Sequence, residues 1–197
     1  MIFAVWDTET TGLPFHQRVS LRKQPRIIEF AGVITDGEKI LDEVEFICNP
    51  GIVIEEIITK ITGLKNEDLI KHPSFLDQRQ KVRDFFARAN ANIAHNLPFD
   101  KFMLTCDLAR GKFGLDEVNF PSLDICTVEE SAPLFGHRMR LQHLYEHYCG
   151  PYVQKHRALD DVRLLHEVCK RMGVYRAYKA MEAAVSYTHL RAHETGR

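Results

Sequence analysis

The apolar positions of this chain change their spacing several times, and each change marks an element. Ile2 to Trp6 is a short apolar run of strand type that stops at Asp7. Arg26 to Thr35 and Lys39 to Ile47 are two more strand-type segments. They are joined by Asp36-Gly37, a dipeptide suited to a tight hairpin turn. The pattern then becomes helical around Ile54–Lys60, Asn66–Ile70 and Ser74–Ala89. Ala91 to Ala94 reads as a short strand, Phe99 to Arg110 as a helix, and Phe120 to Leu123 as a fifth strand ended by Asp124. Helices are predicted over Thr127–Pro133, Leu141–Tyr148, Ala158–Met172 and roughly Tyr175–Ala184. A three-strand meander followed by alternating strand and helix predicts the α/β class, a mixed sheet flanked by helices.

Composition narrows the function classes. A chain of 197 residues with 45% hydrophobic and 27% charged residues is long enough for one domain with its own core. The net charge of −1 excludes a polycation that holds nucleic acid by bulk electrostatics, so any such binding requires local basic patches. Five dispersed cysteines without a C-x-x-C pair read as free thiols in a reducing compartment. No apolar run approaches membrane-spanning length, and the first residues lead straight into a core strand, so a cytoplasmic protein without a signal peptide is expected. The string Val185-Ser-Tyr-Thr-His-Leu-Arg-Ala-His-Glu-Thr195 resembles the conceptual translation of a transposase-type sequencing adapter. Residues 1–184 are therefore expected to form a single domain and 185–197 a non-native tail, and His189 and His193 are kept out of every site argument.

Three short elements carry candidate chemistry. In Asp7-Thr8-Glu9, side chains two apart on a strand share a face, so the two carboxylates converge and call for a cation between them. Thr10-Thr11-Gly12 then turns the chain away. The plainer alternative is a strand ending in a polar turn. The second element, His95-Asn-Leu-Pro-Phe-Asp100, follows a short strand. Asn96 suits a helix N-cap, Pro98 a first turn, and Asp100 a place near the helix start, where the dipole favours its ionised form. The third, His156-Arg-Ala-Leu-Asp-Asp161, opens a helix with apolar positions at Leu159, Val162, Leu165 and Val168, and its plainer reading is a capping cluster.

In this order and spacing the three motifs resemble the DEDDh, DnaQ-like exonucleases, a family that includes the proofreading epsilon subunit of bacterial DNA polymerase III. The likeness runs from Ile2 to about Met181 and takes in Arg26-Ile-Ile-Glu-Phe-Ala-Gly-Val, Ile61-Thr-Gly-Leu and Leu123-Asp124. It implies a ribonuclease H-like fold with a five-stranded mixed sheet. It also implies 3′→5′ exonuclease activity on DNA, with RNA trimming or an inactive nucleic-acid-binding module as alternatives. The same resemblance assigns Asp7, Glu9, Asp100 and Asp161 to two Mg²⁺ (or Mn²⁺) ions, and His156 to the general base that takes a proton from the attacking water. Asp160 is left as a cap. Thr8, Thr10 and Asn96 are expected near substrate, and Leu13 and Phe99 either wedge against terminal bases or pack in the core. Thr62 stands where the epsilon subunit has a histidine. The partners implied are DNA 3′ ends and a DNA polymerase.

From Thr10 to Ile28 there is no acidic residue, while Arg18, Arg22, Lys23 and Arg26 are basic. A loop of this charge leaving the Asp7-x-Glu9 turn is expected to grip phosphates. His143-Leu-Tyr-Glu-His147 matches an inverted zinc-protease pattern. The apolar stripe of Leu141, Leu144, Tyr145 and Tyr148 puts those histidines on the outer face of a helix and argues against that reading.

Overall fold

The computed structural model describes residues 1–152 and 157–194, with side chains to residue 184. Five strands form one mixed sheet: β1 (Phe3–Thr10), β2 (Ile27–Thr35), β3 (Ile40–Ile47), β4 (Ala91–Ala94) and β5 (Leu123–Cys126). Their order across the sheet is β3-β2-β1-β4-β5, with β1–β2 and β2–β3 antiparallel and β1–β4 and β4–β5 parallel. Among the described residues the α-helices are α1 (Glu56–Thr62), α2 (Asn66–Leu69), α3 (Arg79–Phe86), α4 (Leu97–Arg110), α5 (Thr127–Phe135), α6 (Leu141–Cys149), α7 (Ala158–Met172) and α8 (Val174–Glu194).

Alternation along β1 divides the core. Phe3 and Val5 face α6, α7 and α8 with Val162, Leu165 and Val168, whereas Ala4 and Trp6 face α3 and α4 with Phe86, Met103 and Leu104. Trp6 sits against Phe30, Phe86 and Phe120, with ring centroids 5.4–5.8 Å away. Gly32 on β2 is the residue that lets α3 close on the sheet, because a Cβ there would lie 2.3 Å from the Phe85 ring. Strand β3 lies at the sheet edge and exposes Asp42, Glu43 and Glu45, charges that discourage pairing with another chain.

Several sequence expectations need correction. The fifth strand is Leu123–Cys126 rather than Phe120–Leu123, so Asp124 lies within it. Phe120 is drawn off instead to pack on Trp6 and Phe86, and Asn92 of β4 donates to the carbonyls of Pro121 and Leu123 at 3.1 Å. The stretch predicted as one helix from Ser74 starts as a 3₁₀ turn, Leu76–Gln78, before α3. α8 is also longer than expected, running to Glu194. No helix among the described residues is long and apolar enough to cross a membrane.

Candidate active site

The site is built where β1 ends against the start of α7. Asp7 and Glu9 lie on the β1 face that α7 covers, and Asp161 is in the first turn of that helix. One carboxylate oxygen from each of these residues lies within 4.8 Å of the others. Three negative charges held this close and partly desolvated repel one another strongly. Burial first, and then Asp100, Glu9, Asp161 and Glu29, push the Asp7 carboxyl well above its ordinary range. Burial and Asp161 push Glu9 up to about 8. The donor set is all hard oxygen, which suits a divalent cation of the Mg²⁺ or Mn²⁺ kind.

Asp100 approaches from the opposite layer. It sits in the first turn of α4, 2% exposed, and accepts hydrogen bonds from the Thr8 backbone N–H at 3.1 Å and the Thr8 hydroxyl at 2.7 Å. Without a metal ion, burial outweighs those hydrogen bonds and raises its pKa to about 7. Asn96 occupies the N-cap position of α4 in a left-handed conformation, φ 66° and ψ 47°, but its side chain does not cap the helix. Its Oδ1 instead accepts from Arg138 at 3.1 Å. His95 is structural: its ring lies 3.0 Å from the Thr127 hydroxyl and 3.1 Å from the Met139 carbonyl, and burial lowers its pKa to about 4. Pro98 stands in the first turn of α4 as expected.

His156 lies outside the described residues. Asp160 is in the first turn of α7 and not at its cap; the N-cap position is Arg157, which makes no side-chain capping bond. Thr8 and Thr10 use their hydroxyls internally, on Asp100 and on the Gly12 carbonyl at 2.9 Å. Thr62 does the same, donating to the Ile58 carbonyl at 2.9 Å. Leu13 is 79% exposed beside the turn at Gly12, which rules out core packing for it. Phe99 packs partly against the α3–α4 core and also lines an open groove of about 620 Å³ with Phe15, Asn96 and Phe102. His143 and His147 are exposed on α6 while Leu141 and Leu144 are buried, so the protease-like pattern lies on a helix's outer face.

Arg18, Arg22 and Lys23 are exposed on the loop between β1 and β2. Arg22 and Lys23, with Leu13, Phe15 and Ile57, line a second groove of about 600 Å³. Sequence reasoning missed what holds this loop. Arg110 at the end of α4 donates from Nη2 to the carbonyls of Leu21, Gln24 and Pro25 at 3.1, 2.8 and 3.0 Å. Asp107 accepts from Arg110 at 2.6 Å and from the Ile27 N–H at 2.7 Å. Gln24, buried, bonds the Phe15 backbone in both directions. A D-x-x-R pair on a helix looks like any solvated pair in the sequence, so no signal there pointed to the latch.

The comparisons with known proteins agree with this geometry. The exonuclease family model RNase_T matches residues 4–169. A PolC-type DNA polymerase III of Caldanaerobacter subterraneus subsp. tengcongensis is 31% identical over 86% of this chain, which spans 11% of that protein's length. The DNA polymerase III epsilon subunit of Treponema pallidum is 28% identical over 89% of this chain and 78% of its own length. Among solved structures, the nuclease domain of 3′hExo, a DEDDh family member bound to rAMP, superposes with a TM-score of 0.71 at 16% identity, covering 87% of this chain and 90% of that one. The E. coli ExoI–ssDNA complex gives 0.72 at 16% identity, covering 88% and 40%. A matching family model across most of the chain, on a sheet of this order with its acidic cluster at the end of the first strand, places the protein among the DnaQ-like, DEDDh exonucleases of the ribonuclease H-like fold.

Proposed function

We propose that the chain removes nucleotides one at a time from the 3′ ends of DNA, with Asp7, Glu9, Asp100 and Asp161 holding two Mg²⁺ or Mn²⁺ ions. The observation that carries this reading is the convergence of the Asp7, Glu9 and Asp161 oxygens within 4.8 Å, with Asp100 bonded to the residue between the first two. Bound there, divalent cations would stabilise the negative charge that develops on the cleaved phosphodiester. Asp7 feels the charges of Asp100, Glu9 and Asp161 alike, which supports placing it between the proposed ions. The hydrogen bonds from Thr8 fix the Asp100 carboxylate. His156 is proposed to take the proton of the attacking water, a role supported by its place five residues before Asp161 in the family motif. Leu13 and Phe99 offer apolar surface to the terminal bases, and Arg18, Arg22 and Lys23 steer the phosphate backbone.

DNA is favoured over RNA because the relatives by sequence include DNA polymerase III proteins. A polymerase partner is proposed on the same ground. The test is degradation of matched 3′-labelled and 5′-labelled DNA and RNA oligonucleotides with Mg²⁺, beside an Asp7→Ala control. Shortening from the 3′ end of DNA that vanishes in the control is the expected result. Activity surviving in the control, or internal cuts alone, would overturn the reading.

A further inference from the structure

Glu29 is a buried carboxylate near the start of β2, 0% exposed, and none of the roles above uses it. It sits directly across from Glu9 in the β1–β2 register. A lone buried anion costs several kcal/mol, so its partners matter. Both come from the start of α7. Arg157 grips Glu29 through Nε at 3.0 and 3.2 Å to the two carboxylate oxygens and through Nη2 at 2.5 Å to Oε1. The Ala158 N–H, one of the orphan donors of a helix start, points at Oε2 at 3.2 Å. Glu29 thus caps α7 from another element, with its negative charge at the favourable end of the helix dipole. Arg157 also makes the first helical turn: its carbonyl accepts the Asp161 N–H at 3.0 Å.

We propose that Glu29 and Arg157 are positioning residues for the metal pocket, a clamp that sets α7 against β1–β2 so that Asp161 reaches Asp7 and Glu9. The clamp rests on the exonuclease reading for its purpose, but its geometry is independent of substrate. A continuous path leads from Glu9 across the register to Glu29, through the guanidinium to the Arg157 backbone, and from there to Asp161. Releasing either end lets the helix start shift relative to the strand, and a cage of oxygens is sensitive to small displacements. A second link between the same helix and the sheet, Arg163 with Glu43 at 2.6 Å, is exposed and supplies the control.

The experiment measures Mn²⁺ binding by calorimetry for the wild type and for Glu29→Gln, Arg157→Met, Arg157→Lys and Arg163→Ala, each checked for folding by circular dichroism. Groups that orient metal ligands are worth roughly ten- to hundredfold in affinity. That weakening is expected for Glu29→Gln and Arg157→Met, a partial rescue for Arg157→Lys, which keeps the charge but not the fork, and no change for Arg163→Ala. If Glu29→Gln fails to fold, the Arg157 variants decide, since that side chain is 40% exposed. Wild-type affinity in folded Arg157→Met would overturn the clamp. A wild type that binds Mn²⁺ yet leaves every oligonucleotide intact would instead overturn the exonuclease reading, so the two failures are separable.

Discussion

Two buried charged clusters lie on either side of β1, and they are built on opposite principles. At the end of α4, Asp107 is matched: Arg110 and the Ile27 N–H answer its two oxygens, and the upward pull of burial on its pKa is countered by both. At the start of α7, Asp7, Glu9 and Asp161 crowd together, and every neighbour that perturbs Asp7 is another carboxylate. A charge-balanced cluster of this kind offsets much of its own desolvation cost without a further ligand. An unbalanced one is a standing cost that protonation or a bound cation removes. Burial alone does not separate the two; the sign of the neighbours does.

Asp7→Asn should break the contrast most sharply. Activity should fall by about a thousandfold, the several kcal/mol that a correctly held metal ion contributes, while the metal-free protein should melt at a higher temperature because repulsion is relieved. A lower Tm in EDTA would contradict the idea that the acidic cluster is a stability cost. Asp107→Ala should do the reverse, destabilising the fold by about 3 kcal/mol in denaturant titration because it leaves the buried Arg110 charge without its carboxylate. It should also raise KM by freeing the basic loop.

The pH dependence sharpens the same point. In the metal-free protein Glu9 titrates near 8 rather than 4.5, and Asp100 near 7 rather than 3.8. With folded-state values above the unfolded ones, their neutral forms are favoured by the fold, so stability is fully present below the unfolded pKa values and is lost as pH rises through the folded ones. Glu9→Gln should therefore match the wild type in EDTA near pH 4 and become the more stable protein by pH 8. His95, kept neutral down to about 4, is common to both proteins and cancels in that difference. A Tm difference that does not grow with pH would count against the repulsion.

Smaller effects belong to the periphery. Replacing Arg18, Arg22 and Lys23 together with Ala should raise KM and reduce the slope of log affinity against log salt by about 0.7 for each phosphate no longer neutralised. Unchanged oligonucleotide binding across salt concentrations would remove the loop from the substrate path. Leu13→Ala should lower kcat/KM by about tenfold, in line with burying part of a leucine against a base, without moving Tm, since the side chain is 79% exposed. A drop in Tm would return Leu13 to a packing role.

The sequence alone determined the class of fold and most of the element boundaries, because apolar periodicity is a local property, and its three short motifs named the acidic residues proposed for the site. β4 and α7 begin and end where their patterns do. Tertiary structure decided whatever depended on a partner distant in the chain. Phe120 left its expected strand for the Trp6 cluster, and burial raised the pKa of metal-free Asp100 to about 7 against the pull of its helix start. Arg110 became the anchor of a loop some 85 residues away, and Glu29, one letter in an apolar strand, became the cap of a helix 129 residues further on. Burial and long-range hydrogen bonding set the energies of charged groups, and neither is encoded in the neighbours a residue has along the chain.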